Sequence, residues 1–144
     1  MKISVLNGPN LNMLGKRDPK QYGTDTLDDI EQLLIDSFPE HEMTFFQSNL
    51  EGELVEAIQS LMNSNFDGVI VNFGGFSHTS VAIRDALELI DIPIVEVHLS
   101  NIHAREEFRE RTLTGEVADG IITGFGKQSY LLGVHALEKL VDKH

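Results

Sequence analysis

The chain of 144 residues is the size of one globular domain, and with 41% hydrophobic and 24% charged residues its composition is that of a soluble protein. With 11 Lys and Arg against 23 Asp and Glu, the formal charge of −12 gives a field that repels nucleic acid and anionic membrane, so neither partner is expected. The absence of cysteine excludes disulfides, thiolate metal sites, iron–sulfur clusters and a cysteine nucleophile, leaving His, carboxylates, Tyr, Arg and amides to carry any chemistry.

Met1-Lys2-Ile3-Ser4-Val5-Leu6-Asn7 runs straight into a strand pattern over Ile3 to Leu6, with no long apolar leader segment and no window near membrane-span length, so a cytoplasmic location is the expectation. Asn7 to Asp25 follows as a long irregular segment holding Gly8, Pro9, Gly15, Pro19 and Gly23. A loop of this length inside a compact domain reads as a lid or binding loop, with the lid itself at about 16–25. Leu27 to Phe38 has apolar residues recurring at three and four, the pattern of an amphipathic helix, and Met43 to Gln47 is a weaker strand. Glu53 to Met62 is helical, Gly68 to Asn72 is a β-branched strand, Val81 to Ile90 is helical, and Ile92 to Leu99 and Gly120 to Thr123 are strands before a last helix, Ser129 to Val141. Five alternations of strand and helix predict an α/β fold, a doubly wound, five-stranded parallel sheet in three layers with the flavodoxin-like strand order. No linker or repeat interrupts residues 1–144, which are expected to form a single domain.

Ligands of such sheets bind beyond the carboxyl ends of the strands, where Asn7 to Asp25, Asn72 to His78 and Glu96 to Asn101 would converge. Gly124-Phe125-Gly126-Lys127-Gln128-Ser129 fails as a dinucleotide fingerprint, because Ser129 replaces the third glycine and no acidic residue follows about 20 positions on; it reads as a tight turn. Glu96 and His98 face one side of their strand with His103 just after, which fits a hydrogen-bonded polar pocket better than a metal site, and no metal is expected. Ser77 lacks the glycine of a nucleophile elbow, and Ser77 or Thr79 reads as a helix N-cap. If Ala104 to Arg111 is helical, Arg105 and Arg109 share a face, either clamping a carboxylate or phosphate or paired in solvent with Glu106, Glu107 and Glu110. Tyr22, five residues after Arg17, is either a loop anchor or a reactive phenol.

Longer blocks are more specific. Leu6-Asn7-Gly8-Pro9-Asn10-Leu11-Asn12, Leu14-Gly15, Arg17, Pro19, Tyr22-Gly23, Gln47 to Glu53, His78 to Ala86 and the run Glu96 to Arg109 together resemble the type II 3-dehydroquinate dehydratases over essentially the whole chain. The resemblance implies cofactor-free dehydration of 3-dehydroquinate to 3-dehydroshikimate, in aromatic amino-acid biosynthesis or quinate breakdown, by a flavodoxin-like subunit of a dodecamer built as a tetramer of trimers. It implies Tyr22 as general base, His98 as general acid, Arg17 stabilising charge, and Asn10 helping to hold the enolate through an ordered water. It places substrate contacts at Asn72, His78, Asp85, Leu99, Ser100 and Arg109, with Arg109 toward the carboxylate, and sets Arg105 near the base. Phe73 and the stretch Glu110-Arg111-Thr112-Leu113-Thr114-Gly115-Glu116 depart from the family pattern, and both departures are expected to bear on assembly rather than to touch the chemistry.

The reaction class accounts for these residues physically. Dehydration beside a ketone needs a base, stabilisation of an enolate and an acid for the departing hydroxyl. A free phenol is a poor base at neutral pH, and guanidinium charge from Arg17 or Arg105 is the available means of favouring the phenolate, strengthened where a closed lid excludes water. Glu96 is the expected partner fixing the tautomer of His98. Lys2, Lys16, Lys20, Lys127, Lys139 and Lys143 lie near the termini, in the lid or at a helix start, none well placed for a Schiff base. The competing reading is a non-catalytic flavodoxin-like module that binds an anionic metabolite.

Overall fold

A computed structural model describes residues 1–143. Five strands, β1 (Lys2–Asn7), β2 (Glu42–Gln47), β3 (Gly68–Asn72), β4 (Ile94–His98) and β5 (Gly120–Thr123), form one all-parallel sheet in the order β2-β1-β3-β4-β5, the flavodoxin-like order. The helices are α1 (Pro19–Tyr22), α2 (Leu27–Ser37), α3 (Glu51–Gln59), α4 (Phe76–Thr79), α5 (Val81–Leu87) and α6 (Gln128–Lys143).

The strand patterns follow from position in the sheet. β3 and β4 are buried at every residue, as expected of interior strands covered on both faces, whereas β2 at one edge alternates between exposed and half-buried. Alternate side chains sort into two cores. Ile3, Val5, Ile70, Val95 and Val97 pack with Leu27, Ile30 and Leu34 of α2 and Tyr130, Val134 and Leu137 of α6. Leu6, Val69, Val71 and Ile94 pack with Leu54 and Ile58 of α3 and Ile83, Ala86 and Leu87 of α5. Each fully buried Leu, Ile or Val is worth about 1.5–3 kcal/mol relative to exposure, so the three layers are held by these two apolar faces. Thr26 caps α2 in a reciprocal capping box with Asp29, which satisfies two backbone donors that the helix leaves open.

Several predicted boundaries and one predicted element differ. The segment Asn7 to Asp25 is not irregular throughout: it contains a 3₁₀ turn at Leu11–Met13 and the single helical turn α1, started by Asp18, whose carboxylate accepts from the Lys20 amide, and by Pro19 at the first position. Ser77 and Thr79 do not cap the helix after β3. They lie within α4, and Ser80, in extended conformation, caps α5 by accepting from the Ile83 amide. The helix over Ala104 to Arg111 does not form, because Arg105 and Glu106 are extended and divide the stretch into 3₁₀ turns at Ile102–Ala104 and Glu107–Arg109.

The chain reverses its direction of winding between β1 and β3, and the carboxyl ends of β1, β3 and β4 open at that point. Asn7 and Asn72 are neighbours in register across β1 and β3. The backbone approaches closely just beyond them: the Gly8 amide donates to the Asn72 carbonyl at 2.8 Å, and a Cβ at Gly8 would lie 2.4 Å from the Phe73 carbonyl oxygen. Only glycine fits there. Phe73 itself is fully buried in the core shared by α3 and α5, so this departure from the family pattern is a packing residue.

Candidate active site

The strand ends enclose a cavity of about 120 Å³, lined among others by Asn10, Arg17, Tyr22, Asn72, His78, His98, Leu99, Ser100, Arg105 and Arg109. That set brings together ten of the twelve residues singled out from the sequence. Glu96 lies beneath, fully buried behind His98. Asp85 alone is not brought in: it is exposed on α5, its carboxylate 3.9 Å from Arg84. His103, weighed with Glu96 and His98 as a metal ligand, is exposed and lines a different groove with Arg111 and Glu116. No lysine lines the cavity among the described residues.

One wall is built by the segment after β1. α1 turns Tyr22 toward Arg17, whose Nη2 donates to the phenol oxygen at 2.7 Å while the guanidinium carbon lies 3.7 Å from the ring centroid. Arg105 approaches the same ring at 5.1 Å. Two guanidinium groups thus lie against one half-buried phenol, and one of them donates directly to its oxygen. Tyr22 also packs against the core on the α2 and α6 side, as a loop anchor would.

The opposite chemistry comes from β4. Glu96 and His98 face the same side of the strand, and His98 Nε2 and Glu96 Oε2 are hydrogen-bonded at 2.9 Å. A carboxylate buried to 0% exposure is tolerated only with partners, and Glu96 has a second one, the hydroxyl of Thr114, itself fully buried. Thr114 belongs to the stretch expected not to touch the chemistry. None of the described residues of that stretch lines the cavity, and it meets the site through Glu96: Leu113 and Thr114 donate their amides to the Ser77 carbonyl, which brings the Thr114 hydroxyl onto that carboxylate.

Beside His98, the ring of His78 stacks at 5.9 Å, and its Nδ1 donates to the Arg111 carbonyl at 2.9 Å. Burial holds the His78 imidazole below its usual range, opposed by that carbonyl, so it faces the cavity as a neutral ring at neutral pH. Arg109 donates to Glu106 at 2.8 Å, which holds that exposed carboxyl below the usual carboxylate range, while the largely buried Arg105 donates to Ser100 at 3.2 Å and its Nε, without a hydrogen bond, lies 3.9 Å from Glu106. Arg109 thus pairs with Glu106, as the solvent-paired reading expects, and both guanidinium groups also line the cavity.

The sequence reading missed Tyr130. From α6 its hydroxyl donates to Asn7 Oδ1 at 2.6 Å and accepts from Asn72 Nδ2 at 3.0 Å, and Asn72 Oδ1 accepts from the Gly74 amide. Complete burial pushes the phenol well above its ordinary range, so it is a neutral structural hydroxyl. The available signal was its rarity, one of two tyrosines in the chain. Tyr130→Phe is expected to lower stability by about 1–3 kcal/mol, because it strands two buried amide groups, and urea denaturation should show the midpoint falling. A loss under about 0.5 kcal/mol would mean that the triad contributes nothing net.

An acid–base cavity of this kind, set at the switch point of a flavodoxin-like sheet, defines a small-molecule enzyme site on a three-layer α/β fold. The family model described as dehydroquinase class II matches residues 1–138. The 3-dehydroquinate dehydratase of Pelodictyon phaeoclathratiforme is 54% identical over 138 residues, covering 95% of this chain and 91% of that protein. That of Bacillus licheniformis is 55% identical over 135 residues, covering 92% of each. The crystal structure of the type II dehydroquinase from Butyrivibrio crossotus superposes with a TM-score of 0.91 at 37% identity, covering 96% of this chain and 97% of that one. The chain belongs to the class II dehydroquinase family, an enzyme family of hydro-lyases.

Proposed function

We propose that this chain is a type II 3-dehydroquinate dehydratase, removing water from 3-dehydroquinate to give 3-dehydroshikimate through an enolate, without Schiff base, metal or cofactor. The observation that carries the reading is the meeting in one cavity of a phenol bonded to a guanidinium, Tyr22 with Arg17, and an imidazole bonded to a buried carboxylate, His98 with Glu96.

In the reaction Tyr22, as phenolate, takes the proton from the carbon beside the ketone, and Arg17 and Arg105 hold the charge before and after transfer. The electron pair moves onto the ketone oxygen, and Asn10 helps to hold that enolate through an ordered water. Collapse of the enolate expels the hydroxyl, which leaves as water with a proton from His98. Tyr22 ends protonated and His98 deprotonated, so one net proton transfer resets the site. Arg109 takes the substrate carboxylate, and Asn72, His78, Leu99 and Ser100 bind its hydroxyl groups. Residues 16–25 act as the lid of a single catalytic domain. Asp85, exposed and outside the cavity, can contribute only across a contact between copies, in keeping with a dodecamer built as a tetramer of trimers. The enzyme acts in the cytoplasm, in the shikimate pathway to aromatic amino acids; the same chemistry would serve quinate catabolism.

The test is direct. Purified protein with 3-dehydroquinate and a chelator is expected to produce the ultraviolet absorbance of a conjugated enone. Saturable binding without turnover would establish a binding module instead, and neither binding nor turnover would remove the proposed substrate.

A further inference from the structure

We infer that Thr114 is a positioning residue of this site: its buried hydroxyl fixes the Glu96 carboxylate and, through it, the orientation and tautomer of the His98 ring. The inference rests on the role proposed for His98 and adds a residue to it.

Glu96 has no exposure and sits within β4, where its two oxygens must be satisfied from inside the protein. One meets His98 Nε2 at 2.9 Å and the other accepts from Thr114 Oγ1. With a single partner, the carboxylate could rotate about its last bond and exchange its oxygens; with one donor on each oxygen it has one orientation. The ring nitrogen facing it must then be Nε2–H, so the proton that His98 gives in the proposed reaction is the one on Nδ1.

Thr114 is held where it can do this. Its neighbour Leu113 donates to the Ser77 carbonyl at 2.7 Å, and Val117 donates to the Thr114 carbonyl at 3.2 Å. The next residue, Gly115, leaves room for this turn: a Cβ there would lie 2.0 Å from Thr112 Oγ1, 2.4 Å from Ile121 Cδ1 and 3.1 Å from Glu96 Oε2, so a side chain at 115 would have to displace those of Thr112 and Ile121.

The charges around His98 make the role specific. His78 of α4 stacks on it, and Arg17, Tyr22, Arg105 and Arg109 line the same cavity from α1 and its lead-in and from the two 3₁₀ turns. No Asp or Glu is among the described residues lining that cavity. Glu96 is thus the one carboxylate in contact with the imidazole, and whatever aligns Glu96 aligns the acid.

Thr114→Val removes the hydroxyl and keeps the volume. Two measurements read it: kcat and KM for 3-dehydroquinate, and the imidazole ¹⁵N signals of His98. The variant is expected to show kcat reduced about tenfold, part of the 10²–10⁴ that a positioned acid supplies, with KM within about twofold. On the neutral ring, once Nδ1 has given up its proton, the wild-type His98 signals should be those of a single tautomer protonated on Nε2, and those of the variant a mixture of tautomers. Thr114→Ser should restore both. Unchanged His98 signals in Thr114→Val, or failure of Thr114→Ser to restore them, would overturn the inference. If the valine variant does not fold, Thr114→Ala is read in the same way. If the wild-type chain does not dehydrate 3-dehydroquinate, the proposed function falls, and the His98 signals alone decide the part played by Thr114.

Discussion

Tyr22→Phe is expected to leave the fold standing and to cut kcat by about 10³, within the 10²–10⁴ range for loss of a positioned base. The separation of fold from chemistry has a structural reason. The Tyr22 ring packs on the core at its half-buried position, and phenylalanine keeps that ring together with its contact to the Arg17 guanidinium. What disappears is the oxygen that Arg17 Nη2 touches at 2.7 Å, and with it the only phenol in the cavity, because the chain's other tyrosine is sealed between Asn7 and Asn72. Circular dichroism and thermal melting should match the wild type while turnover collapses. A variant that keeps a tenth of wild-type kcat would remove Tyr22 as the base.

Arg17→Ala is expected to lower kcat by about 10²–10³, the cost of losing one preorganised donor at a charge that changes during reaction. The split between kinetic constants separates two explanations. If Arg17 only helped to cover the ligand, its loss would raise KM and spare kcat; if it stabilises the phenolate, kcat falls and KM moves little. Its geometry argues for the second, since the guanidinium both stacks on the ring and donates to the oxygen. Arg105, at 5.1 Å from the ring, does not replace it, because Arg105 already donates to Ser100 and has no hydrogen bond to the phenol. Arg17→Lys should recover part of the charge effect but not the stacked, forked geometry. A KM-only defect in Arg17→Ala would overturn the assignment.

The parts of the molecule legible from sequence are those governed by near-neighbour patterns. β3 was plain as a β-branched apolar run and β4 as an Ile- and Val-rich run broken by Glu96 and His98, because both faces are covered, and the flavodoxin-like order followed from strand and helix alternation. The pairing of Glu96 with His98 followed from the two-residue repeat of a strand. α4 was not legible, since Phe76-Ser77-His78-Thr79 is too short to show a helical period, and its presence moved the cap of the next helix to Ser80. The helix expected at 104–111 had suitable spacing of Arg105 and Arg109, but spacing carries no information about the extended backbone between them. Tyr130 and Thr114 were missed for a common reason. Their hydrogen bonds span 123 and 18 residues, and no local pattern announces such a partner. The catalytic assignments of Tyr22, Arg17, Asn10 and Arg109 came from resemblance, and their convergence on one cavity is what gives those assignments a physical basis.

The Tyr130 bridge between Asn7 and Asn72 also bears on how the molecule is made. Joining α6 to the end of β1 closes a loop of 123 residues, among the longest closures in the chain, and contacts of that separation repay their entropy only after the intervening elements are in place. The orientation of the Asn72 amide, proposed to bind substrate, is therefore set by one of the last contacts to form. A partly folded chain in which the sheet has paired but α6 has not docked would carry every reactive group and still bind poorly, so recovery of activity during refolding should lag behind recovery of secondary structure.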